Sequence, residues 1–148
     1  TAKGIASGFP LGACFSTNKA CVGMTKGKHG STYGGNPLAI SVGKEVIKIM
    51  LEKDFFEKVD KVARYLWNEL KKLEKTYIEI IEIRGAGLLL GIKTKSNNII
   101  INQLFTKNGL LCVPADDNII RLTPPLIITK TEVDEAIQII EKSLKDCQ

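Results

Sequence analysis

Three places in the sequence carry side chains whose type and setting could do chemistry, and the first is Lys3. This lysine lies in a glycine-rich and apolar stretch, residues 2–12, which is unlike an ordinary polar chain end. Desolvation favours the neutral, nucleophilic form of a lysine, which can form a Schiff base with a carbonyl compound. The alternative is a surface lysine beside a flexible end, and residue chemistry alone favours that simpler interpretation.

The second place is the segment 28–37, in which the hydroxyls of Ser31 and Thr32 precede a helix start at Asn36 and Pro37. Glycines let backbone N–H groups approach an anion, and a helix N-terminus favours negative charge. A phosphate is therefore the natural ligand of this segment. A plain capping loop is the alternative, because the segment matches no P-loop and no dinucleotide-binding fingerprint.

The third place is Arg121, which lies in the apolar run 119–122. An arginine in such a strand is costly unless it is paired, and its planar guanidinium suits a carboxylate bound through two hydrogen bonds. The alternatives are therefore a substrate carboxylate site and a structural ion pair. Arg84 has a similar apolar setting, but the glycines after it indicate a turn between two strands.

The composition argues against several kinds of partner. The chain has 21 Lys and Arg against 16 Asp and Glu, but the lysines are spread out, whereas nucleic-acid binding needs a clustered basic stripe. The apolar runs are too short to span a bilayer, so we expect no membrane partner. Four cysteines without a C-x-x-C pair and a single His argue against zinc. We expect no metal, and free thiols in a reducing compartment.

The first half of the chain must position Lys3 and the two hydroxyls. We expect a short buried strand at 12–17, a cap at Thr17 or Asn18, and a loop at 23–35. Asn36 as N-cap and Pro37 at the first helical position predict a helix with an apolar stripe. A second amphipathic helix is predicted from Asp54, where Asp54 and Glu57 resemble a capping box.

The second half of the chain must position Arg121. Strands are predicted at 78–84 and 88–93, antiparallel because the link between them is too short for a crossover helix. A helix capped by Asn97 or Asn98, strands at 110–113 and 118–122, and a last helix with a capping box at Thr129 and Glu132 follow. The expected fold class is α/β, with an α+β arrangement in the smaller C-terminal domain.

Four ordered motifs make the chain closely similar to a known family. The chain resembles the C-terminal portion of the acetylornithine aminotransferases, which are class III, ornithine-type enzymes of fold type I that use pyridoxal phosphate. The resemblance covers nearly all 148 residues and implies that residues 1–53 end a large cofactor-binding domain and its linking helix. Residues 54–148 would form the small domain. The matching segments are AKGIASGFPLGA at 2–13, HGSTYGGNPLA at 29–39, RGAGLLLG at 84–91 and IRLTPPL at 120–126.

The resemblance also implies roles for individual residues. Lys3 would hold pyridoxal phosphate through a Schiff base and, once freed, move the proton between the substrate carbon and the cofactor. Thr32 would bind the cofactor phosphate of the partner subunit across a dimer interface, and Ser31 would contact substrate. Arg121 would bind the α-carboxylate of glutamate or 2-oxoglutarate.

The implied reaction moves the terminal amine of N2-acetylornithine to 2-oxoglutarate, giving N-acetylglutamate 5-semialdehyde and glutamate in arginine biosynthesis. Succinylornithine, ornithine and succinyldiaminopimelate stay open as amino donors, and so does a non-catalytic structural or dimerisation module. We expect a cytoplasmic homodimer with active sites at the subunit interface, although a mitochondrial address stays open.

The resemblance further implies that other parts of the site lie outside this chain. In the family, the aspartate on the pyridine nitrogen, the aromatic residue that stacks on the ring and the Gly-rich phosphate loop all precede the lysine. A second substrate arginine does too. Because the chain also opens on an apolar stretch, we expect it to be a portion of a larger protein and inactive alone.

Overall fold

The computed structural model describes residues 1–147, which form two compact units that divide between Phe55 and Phe56. Gln148, the last residue of the predicted domain 54–148, lies outside the described residues. The first unit contains a short 3₁₀ helix at Lys3–Ala6 and helix α1 at Pro37–Met50. The elements that follow are α2 (Phe55–Thr76), β1 (Ile80–Ala86), β2 (Leu89–Thr94), α3 (Asn98–Lys107), β3 (Val113–Ala115), β4 (Ile119–Leu122) and α4 (Lys130–Lys145).

The four strands form one antiparallel sheet in the order β1-β2-β4-β3. β1 and β2 make a hairpin in which Ala86 pairs with Leu89, as the short link between them predicts. β4 lies between β2 and β3, so Arg121 is carried by a central strand. The helices and this sheet confirm the expected fold class.

The core of the second unit lies between the helices and one face of the sheet. Ile92 and Ile120 from the strands, Leu70 from α2, Phe105 from α3 and Val133 from α4 are all fully buried within one apolar cluster. Alternate residues along a strand point to opposite faces. The other face of the sheet, called the open face below, therefore carries the side chains between the buried ones, which include Arg84, Lys93 and Arg121.

A buried amide ties the strands to α3. The Asn98 Nδ2 atom donates to the carbonyl oxygens of Ala115 and Ile119 at 2.7 and 2.8 Å. Asn98 is 6% exposed, so neither hydrogen bond is readily replaced by water. The amide thereby fixes the β3–β4 hairpin, and with it the strand that carries Arg121.

Several predicted helix ends are confirmed. The Asn36 side chain accepts a hydrogen bond from the Ala39 N–H at 2.9 Å, and Pro37 occupies the first helical position. Thr129 and Glu132 form the predicted capping box of α4. These signals involve only a few consecutive residues, so the local sequence determines them. Among residues 1–147, no helix is both long enough and apolar enough to cross a bilayer.

Other local predictions were wrong or displaced. Residues 12–17 form no strand, and Phe15 is 82% exposed, because none of the described strands pairs with this segment. Thr17, one of the two predicted caps, does cap the segment that follows by accepting from the Ala20 N–H at 3.3 Å, but that segment is a turn rather than a helix. Asp54 has φ +64, whereas an N-cap normally takes an extended backbone, and α2 begins at Phe55. The strand expected at 110–113 is β3, displaced to Val113–Ala115.

Candidate active site

Lys3 opens the 3₁₀ helix of a closed loop, residues 1–13, which we call the Lys3 loop. Thr1 and Ala13 close it by exchanging two hydrogen bonds, at 2.7 Å from the Thr1 nitrogen and 2.8 Å from the Ala13 nitrogen. Lys3 and Ser7 have φ values of +54 and +45, a left-handed conformation that side-chain-bearing residues adopt at a cost. The Lys3 loop therefore has a defined shape that the surrounding structure must hold.

The Lys3 side chain is exposed and lies at an open concavity of the first unit. The walls of this concavity contain no carboxylate, and Lys3 makes no ion pair with any residue that the structure describes. The amine is accessible to a carbonyl compound and is not held by a neighbouring acid, but within this chain it is solvated, as the surface-lysine alternative predicts, rather than desolvated. The concavity is lined by Lys3, Gly4, Ser7, Gly8, Phe9, Pro10 and Leu11.

The loop with the two hydroxyls is attached to the first turn of α1. The Asn36 Nδ2 atom donates to the Tyr33 carbonyl at 2.8 Å, while its Oδ1 atom caps the helix. Within residues 1–147, the hydroxyls of Ser31 and Thr32 have no hydrogen-bond partner, and both side chains are exposed. Asn36 therefore fixes a loop whose hydroxyls are free to bind a ligand.

The helix end itself offers fewer donors than the sequence suggests. Pro37 has no N–H group, and the N–H of Ala39 is already bonded to the cap oxygen. Ser31 lies against Gly34, where a Cβ would stand only 2.9 Å from the Ser31 Cβ. An anion at this loop would therefore depend on the Thr32 hydroxyl and on loop N–H groups more than on the helix end.

Arg121 lies on β4 between the buried Ile120 and Leu122, and its own side chain is exposed on the open face. We expected either a substrate carboxylate or a structural ion pair for this arginine. No acid among residues 1–147 lies within ion-pair distance of it. The guanidinium is therefore available for an external carboxylate.

The other two cations of the open face share one acid. The Asp117 carboxylate accepts from Lys93 Nζ at 2.8 Å and from Arg84 Nη2 at 3.2 Å. Arg84 can cross the sheet because Gly91 has no side chain: a Cβ there would lie 2.8 Å from Ile119 Cγ2 and 3.8 Å from Arg84 Cγ. Arg84 Nη1 also lies 4.0 Å from Glu82 Oε2, so both basic residues have acidic partners within the chain.

The titration of Asp117 agrees with this arrangement. The hydrogen bond and charge of Lys93, and then those of Arg84, hold the pKa of the Asp117 carboxyl below its usual range. Asp117 therefore stays ionised at neutral pH. Gly91 pairs with both Arg84 and Arg121, so the three lie in one row across β1, β2 and β4. Of the three cations named on this face, Arg121 alone has no acidic partner in the described chain.

A second concavity, in the second unit, is apolar and contains one thiol. Cys112 lines it together with side chains such as Leu66, Pro125 and Val133, and its volume is about 360 Å³. Burial raises the pKa of the Cys112 thiol to about 11, so the reactive thiolate is scarce at neutral pH. All four cysteines are free thiols. The described residues contain no cluster of three or more His, Cys, Asp or Glu that could hold a metal.

Comparison with known families decides the class of the chain. The family model described as aminotransferase class-III matches residues 1–144. The chain is a class-III aminotransferase sequence. It is 46% identical over 145 residues to an acetylornithine aminotransferase of Mesorhizobium japonicum, and 50% identical over 141 residues to that of Agrobacterium fabrum. These alignments cover 97% and 95% of the chain but only 36% and 35% of the relatives, so it spans about a third of their length.

Solved aminotransferase structures share the fold. Ornithine delta-aminotransferase of Plasmodium falciparum superimposes with a TM-score of 0.80 and 37% identity, over 88% of this chain and 34% of that chain. An acetylornithine aminotransferase of Elizabethkingia anophelis gives a TM-score of 0.79 and 32% identity, over 88% and 36%. The family, the fold and a transaminase parent are therefore established, as the four motifs led us to expect.

The structure of this class-III aminotransferase chain places Lys3, Ser31 and Thr32 in the first unit and Arg121 in the second. It also shows an acidic residue on the open face, Asp117, that the sequence did not lead us to expect. Asp117 pairs with both Arg84 and Lys93, and no pair between Asp117 and Arg121 is formed within the described residues. The adjacent Asp116, Asp117 and Asn118 were the available signal, because such residues favour tight turns between strands.

Proposed function

We propose that the chain is the lysine-bearing portion of a pyridoxal-phosphate-dependent aminotransferase that uses N2-acetylornithine and 2-oxoglutarate. The products would be N-acetylglutamate 5-semialdehyde and glutamate, in arginine biosynthesis. Membership of the class-III family and the names of the two bacterial relatives support this proposal. The structural observation that carries it is an exposed Lys3 without an ion pair, held on a closed loop beside a concavity free of carboxylates.

The residues present fit pyridoxal phosphate chemically. Lys3 offers an accessible amine for the cofactor carbonyl, and Thr32 offers an unpaired hydroxyl for a phosphate oxygen. When bound, the cofactor supplies an electron sink for the carbon that loses its proton. Lys3 Nζ, once free of the cofactor, would move that proton from the amine-bearing carbon of the substrate.

The remaining proposed roles concern the substrate. Arg121 would bind the α-carboxylate of glutamate or 2-oxoglutarate through two parallel hydrogen bonds, and its exposed, unpaired guanidinium supports this. Ser31 would orient the substrate from the same loop as Thr32. We further propose a homodimer in the cytoplasm in which Thr32 serves the partner's cofactor, since this family builds its active sites at the subunit interface.

One alternative substrate has support of its own. The solved relative from Plasmodium falciparum is an ornithine delta-aminotransferase, and its identity to this chain, 37%, is comparable to that of the acetylornithine enzyme from Elizabethkingia anophelis, 32%. Ornithine is therefore the second candidate amino donor. The α-amine is acetylated in N2-acetylornithine and charged in ornithine. Steady-state kinetics with each donor would show which of the two the enzyme uses.

The first test traps the cofactor on the 148-residue chain. The chain is incubated with pyridoxal phosphate and reduced with borohydride, and the added mass is located by peptide mass spectrometry. We expect preferential labelling of Lys3, with Lys19 and Lys28 as exposed control lysines. Loss of the label in Lys3→Ala, with the controls unchanged, would support the proposal. Labelling spread evenly over these lysines would instead favour a non-catalytic structural module.

A second test measures turnover. We expect the 148-residue chain alone to be inactive. A chimera in which residues 1–144 replace the matching third of the Agrobacterium fabrum relative should convert N2-acetylornithine and 2-oxoglutarate. In this chimera Arg121→Ala should raise the KM for 2-oxoglutarate, because the carboxylate loses its partner. An Arg121→Ala chimera with unchanged KM and kcat would exclude the role proposed for this arginine.

A further inference from the structure

The Lys3 loop lies directly against the backbone of α1. Gly43 is buried in the middle of this helix, and a Cβ there would lie 2.6 Å from Leu11 Cδ2 and 3.9 Å from the Ile5 carbonyl oxygen. Ala6 of the Lys3 loop and Ala39 of α1 are each only 1% exposed. Small side chains on both sides therefore let the loop approach the helix closely.

A glycine in the middle of a helix lowers the stability of the helix, so another interaction must favour it there. Glycine is the poorest helix former after proline, so the local structure of α1 would favour alanine at position 43. The contact with Leu11 is the reason that the structure offers, because a methyl group at position 43 would overlap Leu11 Cδ2 and make the Leu11 side chain turn away from α1. Gly43 thus serves tertiary packing at the expense of local helix stability.

The loop that depends on this contact is conformationally demanding. Lys3 and Ser7, at the two ends of the 3₁₀ helix, are both left-handed. Such conformations persist only where the surrounding structure holds them. Within the Lys3 loop, the Phe9 N–H donates to the Ala6 carbonyl at 2.9 Å. The two hydrogen bonds between Thr1 and Ala13 join the ends of the loop. The support from outside the loop is the α1 surface at Gly43.

We propose that Gly43 is a positioning residue for Lys3, which rests on the function proposed above. By seating Leu11 and the Ile5 carbonyl on α1, Gly43 fixes the place from which Lys3 Nζ reaches the cofactor carbonyl. The same helix holds the loop of Thr32 through Asn36, seven residues and about 10 Å away along its axis. α1 thereby connects Lys3 of one cofactor site to the Thr32 hydroxyl that, in the proposed dimer, serves the partner's cofactor.

The test compares Gly43→Ala, Leu11→Ala and the double variant in the chimera with the Agrobacterium fabrum relative described above, which contains the remaining parts of the cofactor site. Gly43→Ala should slow borohydride trapping of pyridoxal phosphate on Lys3 by about tenfold, because a displacement near 1 Å is enough to misplace a reacting group. Leu11→Ala removes the side chain that the new methyl overlaps, so the double variant should recover most of the rate. Gly23→Ala is the matched control, because a Cβ at Gly23 meets no atom within 4 Å.

Amide hydrogen exchange separates this inference from the proposed function. In Gly43→Ala, the N–H groups of Phe9 and Ala13 should exchange about tenfold faster, while those of the second unit stay unchanged. Unchanged exchange at Phe9 and Ala13 would overturn the inference, and so would faster exchange with an unaltered trapping rate on Lys3. If wild-type Lys3 reacts no faster than Lys28, the proposed function fails, and the exchange result still decides whether Gly43 seats the loop.

Discussion

Replacing Gly85 with alanine should destabilise the second unit far more than the same change at Gly87, two residues along the same hairpin. Gly85 has φ +130 and pairs with Leu90, and a Cβ there would lie 2.1 Å from the Leu89 carbonyl oxygen and 2.9 Å from Leu90 Cα. Gly87 has φ +57, and a Cβ there meets nothing within 4 Å. The two sites differ in the space available for a Cβ atom as well as in backbone conformation.

The expected magnitudes follow from these contacts. At Gly87, the left-handed conformation costs an alanine about 1–2 kcal/mol, partly offset by about 0.4–1 kcal/mol from the less flexible unfolded chain. At Gly85, the backbone conformation costs about 1–3 kcal/mol, and overlap with the paired strand adds about 1–3 kcal/mol. The atoms that the new Cβ meets at Gly85 belong to the backbone, so no side chain can rotate away. We expect losses of about 1 kcal/mol at Gly87 and about 4 kcal/mol at Gly85.

Urea unfolding followed by fluorescence measures this difference. The single tryptophan, Trp67, lies on α2 and packs against the core of the second unit, so its emission reports that unit. The two variants should have similar m-values, with the Gly85→Ala midpoint clearly below that of Gly87→Ala. Equal midpoints would refute the argument, because they would mean that β1 and β2 can separate at Gly85 without a measurable cost.

Three further predictions concern the second unit. Asn98→Ala should lower the free energy of unfolding by about 2 kcal/mol in urea titrations, since it removes the two hydrogen bonds that a buried amide donates, each worth about 1 kcal/mol. Cys112 should resist iodoacetamide at pH 8 while the exposed Cys14 reacts, as peptide mass spectrometry can show, because burial raises the pKa of Cys112 to about 11. The hydrogen bonds from Thr129 lower the pKa of the Glu132 carboxyl in the folded state. Their contribution to the free energy of unfolding is therefore complete above the pKa of the unfolded state, about 4.3, and is lost as the pH falls through the lower pKa of the folded state. Glu132→Gln should flatten that part of the stability–pH profile measured by thermal unfolding.

Features that depend on neighbouring residues could be predicted from the sequence. Asn36 with Pro37, and Thr129 with Glu132, mark helix starts because a cap is formed by residues within one turn. The β1–β2 hairpin follows from a link too short for any other connection. The long amphipathic stripe of α2 likewise predicts its buried face, which includes Leu66, Leu70 and Leu73.

Features that depend on residues far apart in the sequence could not be predicted from the sequence. Whether 12–17 forms a strand depends on a partner strand, which the local pattern does not reveal. The pairing of Asp117 with Arg84 spans 33 positions, and nothing in either segment specifies it. The contact that explains Gly43 joins it to Leu11, far away in sequence. Residue chemistry also favoured a surface role for Lys3, and only the ordered motifs pointed to catalysis.

The division of the chain at Phe55 and Phe56 has a consequence for recombination. The buried apolar cluster described for the second unit consists of residues between Ala63 and Leu144. A crossover between related genes just before α2 would therefore exchange a complete core together with Arg121. Such a crossover would leave Lys3 and Thr32 on the parental side of the junction. Recognition of the carboxylate and attachment of the cofactor could then be inherited from different parents, in nature or in a shuffled library.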